Sequence, residues 1–80
     1  MDDEFEVKYS PLCQSIERNG KSVDLEIYAD GEGKWILEVV DEFRNTTLWD
    51  EHFPTDQAAL EEAISAIDAD GIETYIMLVH

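Results

Sequence analysis

Between residues 4 and 9 apolar and polar positions alternate strictly, with Phe5, Val7 and Tyr9 set against Glu4, Glu6 and Lys8. A period of two marks a half-buried strand, because successive strand side chains point to opposite faces. Ser10-Pro11 interrupts the pattern, since proline has no N–H to give to a ladder. A weaker alternation resumes over residues 12–18, with Leu12, Gln14 and Ile16 on one face. Asn19-Gly20 then supplies the two positive-φ residues that a type I′ turn requires. Beyond it Val23, Leu25 and Ile27 alternate with Asp24, Glu26 and Tyr28, which predicts a hairpin. The turn cluster Asp30-Gly31-Glu32-Gly33 precedes a further strand over residues 35–40. There Trp35, Leu37 and Val39 share one face and Ile36, Glu38 and Val40 the other. Residues 41–45 read as a polar turn and residues 46–49 as a short β-branched and aromatic strand.

After Pro54 the period changes. Ala59, Leu60, Ala63, Ile64 and Ile67 recur at spacings of three and four, which is one stripe of a helix. Thr55 is placed to accept a hydrogen bond from a free backbone N–H as N-cap, and Asp56 suits the positive end of the helix dipole. Gly71 supplies the stop. The pattern thus predicts a helix over residues 55–69, from Thr55 to Ala69, followed by a last strand over residues 72–79. The fold class is α+β: a mostly antiparallel sheet of about five or six strands with one helix packed on one face, in the order β-β-β-β-β-α-β. Eighty residues, without repeat or linker, suffice for a single domain spanning 1–80.

Charge narrows the partners. Twenty acids against five basic residues give a formal net charge of −15, and every Lys and Arg lies before residue 45. Counterion release on DNA or RNA needs clustered cations, so the composition argues against a nucleic-acid ligand and against anionic membrane. It keeps the chain soluble and attracts basic proteins. Asp68 and Asp70 fall at the helix C-terminal end, where the dipole disfavours anions, and no Lys or Arg follows to offset them. This hints that the acidity serves something other than stability, although Asp also builds turns well. The lone Cys13 forms no intrachain disulfide, the first residues are acidic rather than signal-like, and no apolar stretch reaches 18 residues; the expected compartment is the cytoplasm.

Motifs for chemistry are weak. With Gly71 at the sixth place of a calcium loop, Ala66 and Met77 would stand first and twelfth, and neither can ligate calcium. One Cys and two His, far apart, give no zinc spacing. Asp30-Gly31-Glu32-Gly33 is too acidic to cradle phosphate. Cys13 has no basic sequence neighbour to activate it, and only a chance approach of His52 would provide one. The expectation is a non-catalytic chain with no cofactor, no metal and no catalytic residue. Trp49 and Phe53 read as packing between helix and sheet rather than as a stacking platform.

A single helix covers only part of one sheet face, yet two strands carry apolar residues on both sides. Tyr28, Ile36, Val40, Tyr75, Met77 and Val79 are the candidate members of an apolar patch on the second face. They are either central-strand residues covered by the N-terminal segment or a surface that takes a protein partner or a second copy as a homodimer. The leading expectation is a protein–protein interaction module. The alternatives are an acidic mimic of nucleic acid that inhibits a basic protein, and a small-ligand binder or enzyme whose pocket forms in a dimer.

Overall fold

The computed structural model describes residues 7–76. Four strands, β1 (Gln14–Arg18), β2 (Lys21–Ala29), β3 (Trp35–Val40) and β4 (Thr46–Leu48), are followed by helix α1 (Asp56–Asp70) and a 3₁₀ turn (Ile72–Tyr75). The strands form one antiparallel sheet in the order β1-β2-β3-β4. Each strand therefore pairs with its neighbour in the chain.

The first hairpin forms as its turn dictates. Arg18 pairs with Lys21, and the two residues between them have positive φ, 56° at Asn19 and 78° at Gly20. The other two connections are organised by carboxylates. Asp30 Oδ1 accepts from the backbone N–H of Glu32 (2.7 Å) and Lys34 (3.1 Å). The buried Asp41 accepts from the backbone N–H of Phe43 and of Asn45, both at 2.8 Å, and so ties β3 to β4. His52 Nδ1 lies 2.7 Å from Asp30 Oδ2, which pins the first of these loops to the segment before the helix.

The core lies between one face of the sheet and α1. Val23, Leu25 and Ile27 of β2 and Leu37 and Val39 of β3 point toward Ala59, Ala63 and Ile67 of the helix, with Ile16, Phe53 and Ile72 closing the ends. Alanine at 59 and 63 lets the helix backbone approach the sheet, so long side chains from the strands fill the interlayer space. Thr55 is the N-cap, its hydroxyl accepting from Ala58 N–H at 3.0 Å. At the other end the Gly71 N–H donates to the Ile67 carbonyl at 2.9 Å with φ 89°, a conformation only glycine takes easily.

Three expectations need correction. Among the described residues four strands stand where five or six were expected of the whole chain. Of the strand expected over residues 4–9, residues 4–6 lie outside the described residues. Lys8 to Ser10 run beside β2 with a single bridge, Tyr9 to Tyr28. Pro11 then turns the chain, with Ser10 Oγ accepting from Leu12 N–H at 2.9 Å, so β1 begins only at Gln14. The turn leaves Ile27 N–H without a main-chain partner, and Cys13 Sγ takes it at 3.2 Å. The last strand fails at its start. Residues 72–75 wind into the 3₁₀ turn, held by Thr74 Oγ1 donating to the Asp70 carbonyl and Tyr75 Oη donating to the Asp70 carboxylate, both at 2.8 Å. Such local bonds compete with a sheet ladder. Residues 77–79 lie outside the described residues.

The helix-end acids are also less exposed to their dipole than the sequence implies. Arg18 Nε of β1 reaches Asp68 at 2.9 Å, and Asp70 accepts from Tyr75. Asp68 is thus offset by a cation fifty residues earlier in the chain.

Candidate interaction face

The face of the sheet opposite α1 is built by the same alternation that builds the core. In β2 the residues that alternate with Val23, Leu25 and Ile27 are Asp24, Glu26 and Tyr28; in β3 those around Leu37 and Val39 are Ile36, Glu38 and Val40. The register sets them in three rows across the strands. One runs Tyr9, Tyr28, Ile36; the next Glu26, Glu38, Leu48; the third Ser15, Asp24, Val40, Thr46. Neighbours along a row are about 4.8 Å apart between strands, so an acidic pair sits between two rows that carry apolar groups.

Tyr28 and Ile36 are half-buried neighbours in one row of this face, and Val40, also half-buried, lies two rows away beyond Glu38. Tyr75 is not among them. It lies only 8% exposed on the helix side, stacked on Trp49 with ring centroids 5.8 Å apart. A 3₁₀ turn, unlike the expected strand, carries its side chain round to the core. Met77 and Val79 fall outside the described residues. Two residues that the sequence reading missed complete the patch: Tyr9, 55% exposed, and Leu48, 58% exposed. The signal for Leu48 was present, since alternation from Thr46 places both on one face. Tyr9 belongs to the alternation that predicts a half-buried strand, and alternation does not say which sheet face its apolar side joins.

Polar geometry holds the patch in shape. The Tyr9 and Tyr28 rings meet edge to face at 5.6 Å. Tyr28 Oη donates to Glu38 Oε1 at 3.0 Å. Burial, then this hydrogen bond and the negative charge of Glu38, push the Tyr28 hydroxyl up to about 12. On the opposite side burial and the bond to Asp70 push Tyr75 to about 12 as well. Glu26 stands directly across from Glu38, a like-charge pairing that costs a sheet a few tenths to about 1 kcal/mol. Of the strand positions on this face four are acids (Glu17, Asp24, Glu26, Glu38) and none is Lys or Arg.

The two tyrosines make stability pH-dependent. An unfolded tyrosine releases its proton near pH 10, whereas Tyr28 and Tyr75 hold theirs in the folded chain to about 12. Below pH 10 both states carry the proton and nothing is lost. Between pH 10 and 12 the unfolded state is selectively stabilised, so stability falls as pH rises. The expected result is alkaline unfolding in that window, followed by tyrosinate absorbance and far-ultraviolet circular dichroism together. If both tyrosines ionise by about pH 10 with the fold intact, their placement, buried and hydrogen-bonded to carboxylates, is wrong.

Cys13 and His52 are not brought together: the thiol bonds the Ile27 backbone and the imidazole meets Asp30. Asp30 is held below the ordinary carboxylate range chiefly by the Glu32 N–H. Among the described residues no three His, Cys, Asp or Glu side chains gather as a metal site. A hollow of about 80 Å³ between Ser22–Asp24 and Val40–Glu42 is small beside the roughly 300 Å³ at which ligand pockets begin. Among the described residues no helix is long and apolar enough to cross a membrane. Comparison with known protein families, characterised proteins and solved structures finds no match.

Proposed function

We propose that this chain is a non-catalytic protein–protein interaction module that docks its partner on the open face of the sheet. One observation carries the reading: Tyr9, Tyr28, Ile36, Val40 and Leu48 share the face that α1 does not cover, the first three in one row and Leu48 and Val40 in the next two. Apolar surface left open in this way marks interaction sites, and tyrosine is enriched at the centre of such interfaces. A cytoplasmic setting fits the lone thiol. A mimic of nucleic acid would need acids spaced like phosphates and no apolar rows between them, so the composition of this face favours a protein partner over that role.

Site-specific photocrosslinking tests the reading. With p-benzoylphenylalanine in place of Leu48 on the open face, illumination of the source cells is expected to give a discrete adduct. The same group in place of Ser65, exposed on the outer side of α1, gives none. Adducts of equal yield from both positions, or from neither, would remove the open face as the docking surface.

A further inference from the structure

The open face also says what kind of partner it takes. We infer that its occupant is a basic amphipathic segment of another protein, with a cationic side chain set over the Glu26–Glu38 pair and apolar side chains on the rows beside it. This rests on the docking role proposed above. Glu26 and Glu38 are directly opposed at the middle of the patch, in the two central strands of the sheet. They are half-buried, so a partner pressed onto Ile36 and Leu48 would strip water from both carboxylates. An uncompensated charge is costly to desolvate, and a cation on the partner is what removes that cost. Tyr28 adds to the fit. Its hydroxyl is committed to Glu38, and its ring lies in the row beside the acids, where a guanidinium can bridge carboxylate and ring face.

The same charges argue against a second copy as the occupant. A two-fold, face-to-face dimer brings each patch against itself, and this patch contains four acids and no cation among its strand positions. Like charges would then meet in a drying interface. The opposed glutamates weaken the sheet that carries them, so replacing them should spare the fold.

The test uses the ¹⁵N-labelled full chain and three synthetic peptides: an amphipathic helix of leucine and arginine, its counterpart with glutamate for arginine, and an oligoarginine of equal charge. The leucine–arginine peptide is expected to shift the amide resonances of Tyr28, Ile36, Glu38 and Leu48 and leave those of α1 unmoved. The double variant Glu26→Gln/Glu38→Gln should bind that peptide at least about tenfold more weakly while melting no lower than the parent. If the leucine–glutamate peptide binds the same face as well, the basic partner is refuted while the docking face survives. If oligoarginine binds equally and the shifts spread over α1, only bulk attraction to the −15 charge is present, and the inference falls. A crosslinked adduct at Leu48 with twice the mass of the chain would make a second copy the occupant and refute the inference alone.

Discussion

Leu37→Ala is expected to lower the unfolding free energy by about 2–5 kcal/mol, read as a fall in the urea midpoint with an unchanged slope. Leu37 is fully buried in β3 between the helix and the neighbouring strands, so truncation leaves a void that the packed side chains around it fill only in part. A domain of this length has a total stability of roughly 4–12 kcal/mol, at about 0.05–0.15 kcal/mol per residue. The single change therefore removes a large share of it. Leu48→Ala is the matched control, with the same atoms deleted from a side chain 58% exposed on the opposite face, and should cost no more than about 0.5 kcal/mol. The contrast tests the register itself. A one-residue slip in β3 would move Leu37 to the open face and bring Ile36 and Glu38 into the core. Equal losses from the two variants would contradict the placement of the core.

Salt is expected to stabilise this chain. Fifteen net negative charges repel one another across a small body, and that repulsion is relieved on unfolding. Arg18 pairs with Asp68 at the surface, where an exposed ion pair offsets at most about 1 kcal/mol of it. Raising ionic strength from 0.01 M toward 1 M shortens the screening length from about 30 Å to about 3 Å, which removes repulsion between separated acids first. In sodium chloride the melting temperature should climb by about 5 °C or more, the equivalent of roughly 1 kcal/mol for a domain of this size. A flat or falling melting temperature would mean that ion pairs outweigh the repulsion.

What the sequence made legible follows from what is local. The hairpin at Asn19-Gly20 and the helix from its Thr55 cap to its Gly71 stop depend on neighbouring residues, and both are found where the pattern places them. The two-faced character of β3 is also read directly from alternation. The start of the last segment was misread because the alternation that begins at residue 72 competes with bonds that Asp70 offers to Thr74 and Tyr75, and a period alone does not reveal them. That one error moved Tyr75 to the wrong face. Arg18 with Asp68 and Ser10 with Asp56 join residues about half the chain apart, and no local pattern announces such pairs. The substitution of Cys13 sulfur for a ladder partner was invisible for a related reason: it depends on where Pro11 turns the chain against β2. Of the open face, Tyr28, Ile36 and Val40 were legible in the alternation; the mutual opposition of Glu26 and Glu38 needed the register.

The consecutive order of the strands bears on how this chain is born. Synthesis runs from β1 to β4, so every strand meets its partner as soon as that partner has emerged. The helix that covers Leu25, Ile27, Leu37 and Val39 is completed only about twenty residues after β4 ends. At roughly 5–20 residues per second, the ribosome leaves that apolar face of the sheet bare for about 1–4 s. During this interval the nascent sheet is wet on both sides, and its acidic outer side is the one protected from other chains by charge. The inner side, later the driest part of the molecule, is the surface that a chaperone or a neighbouring nascent chain would find first.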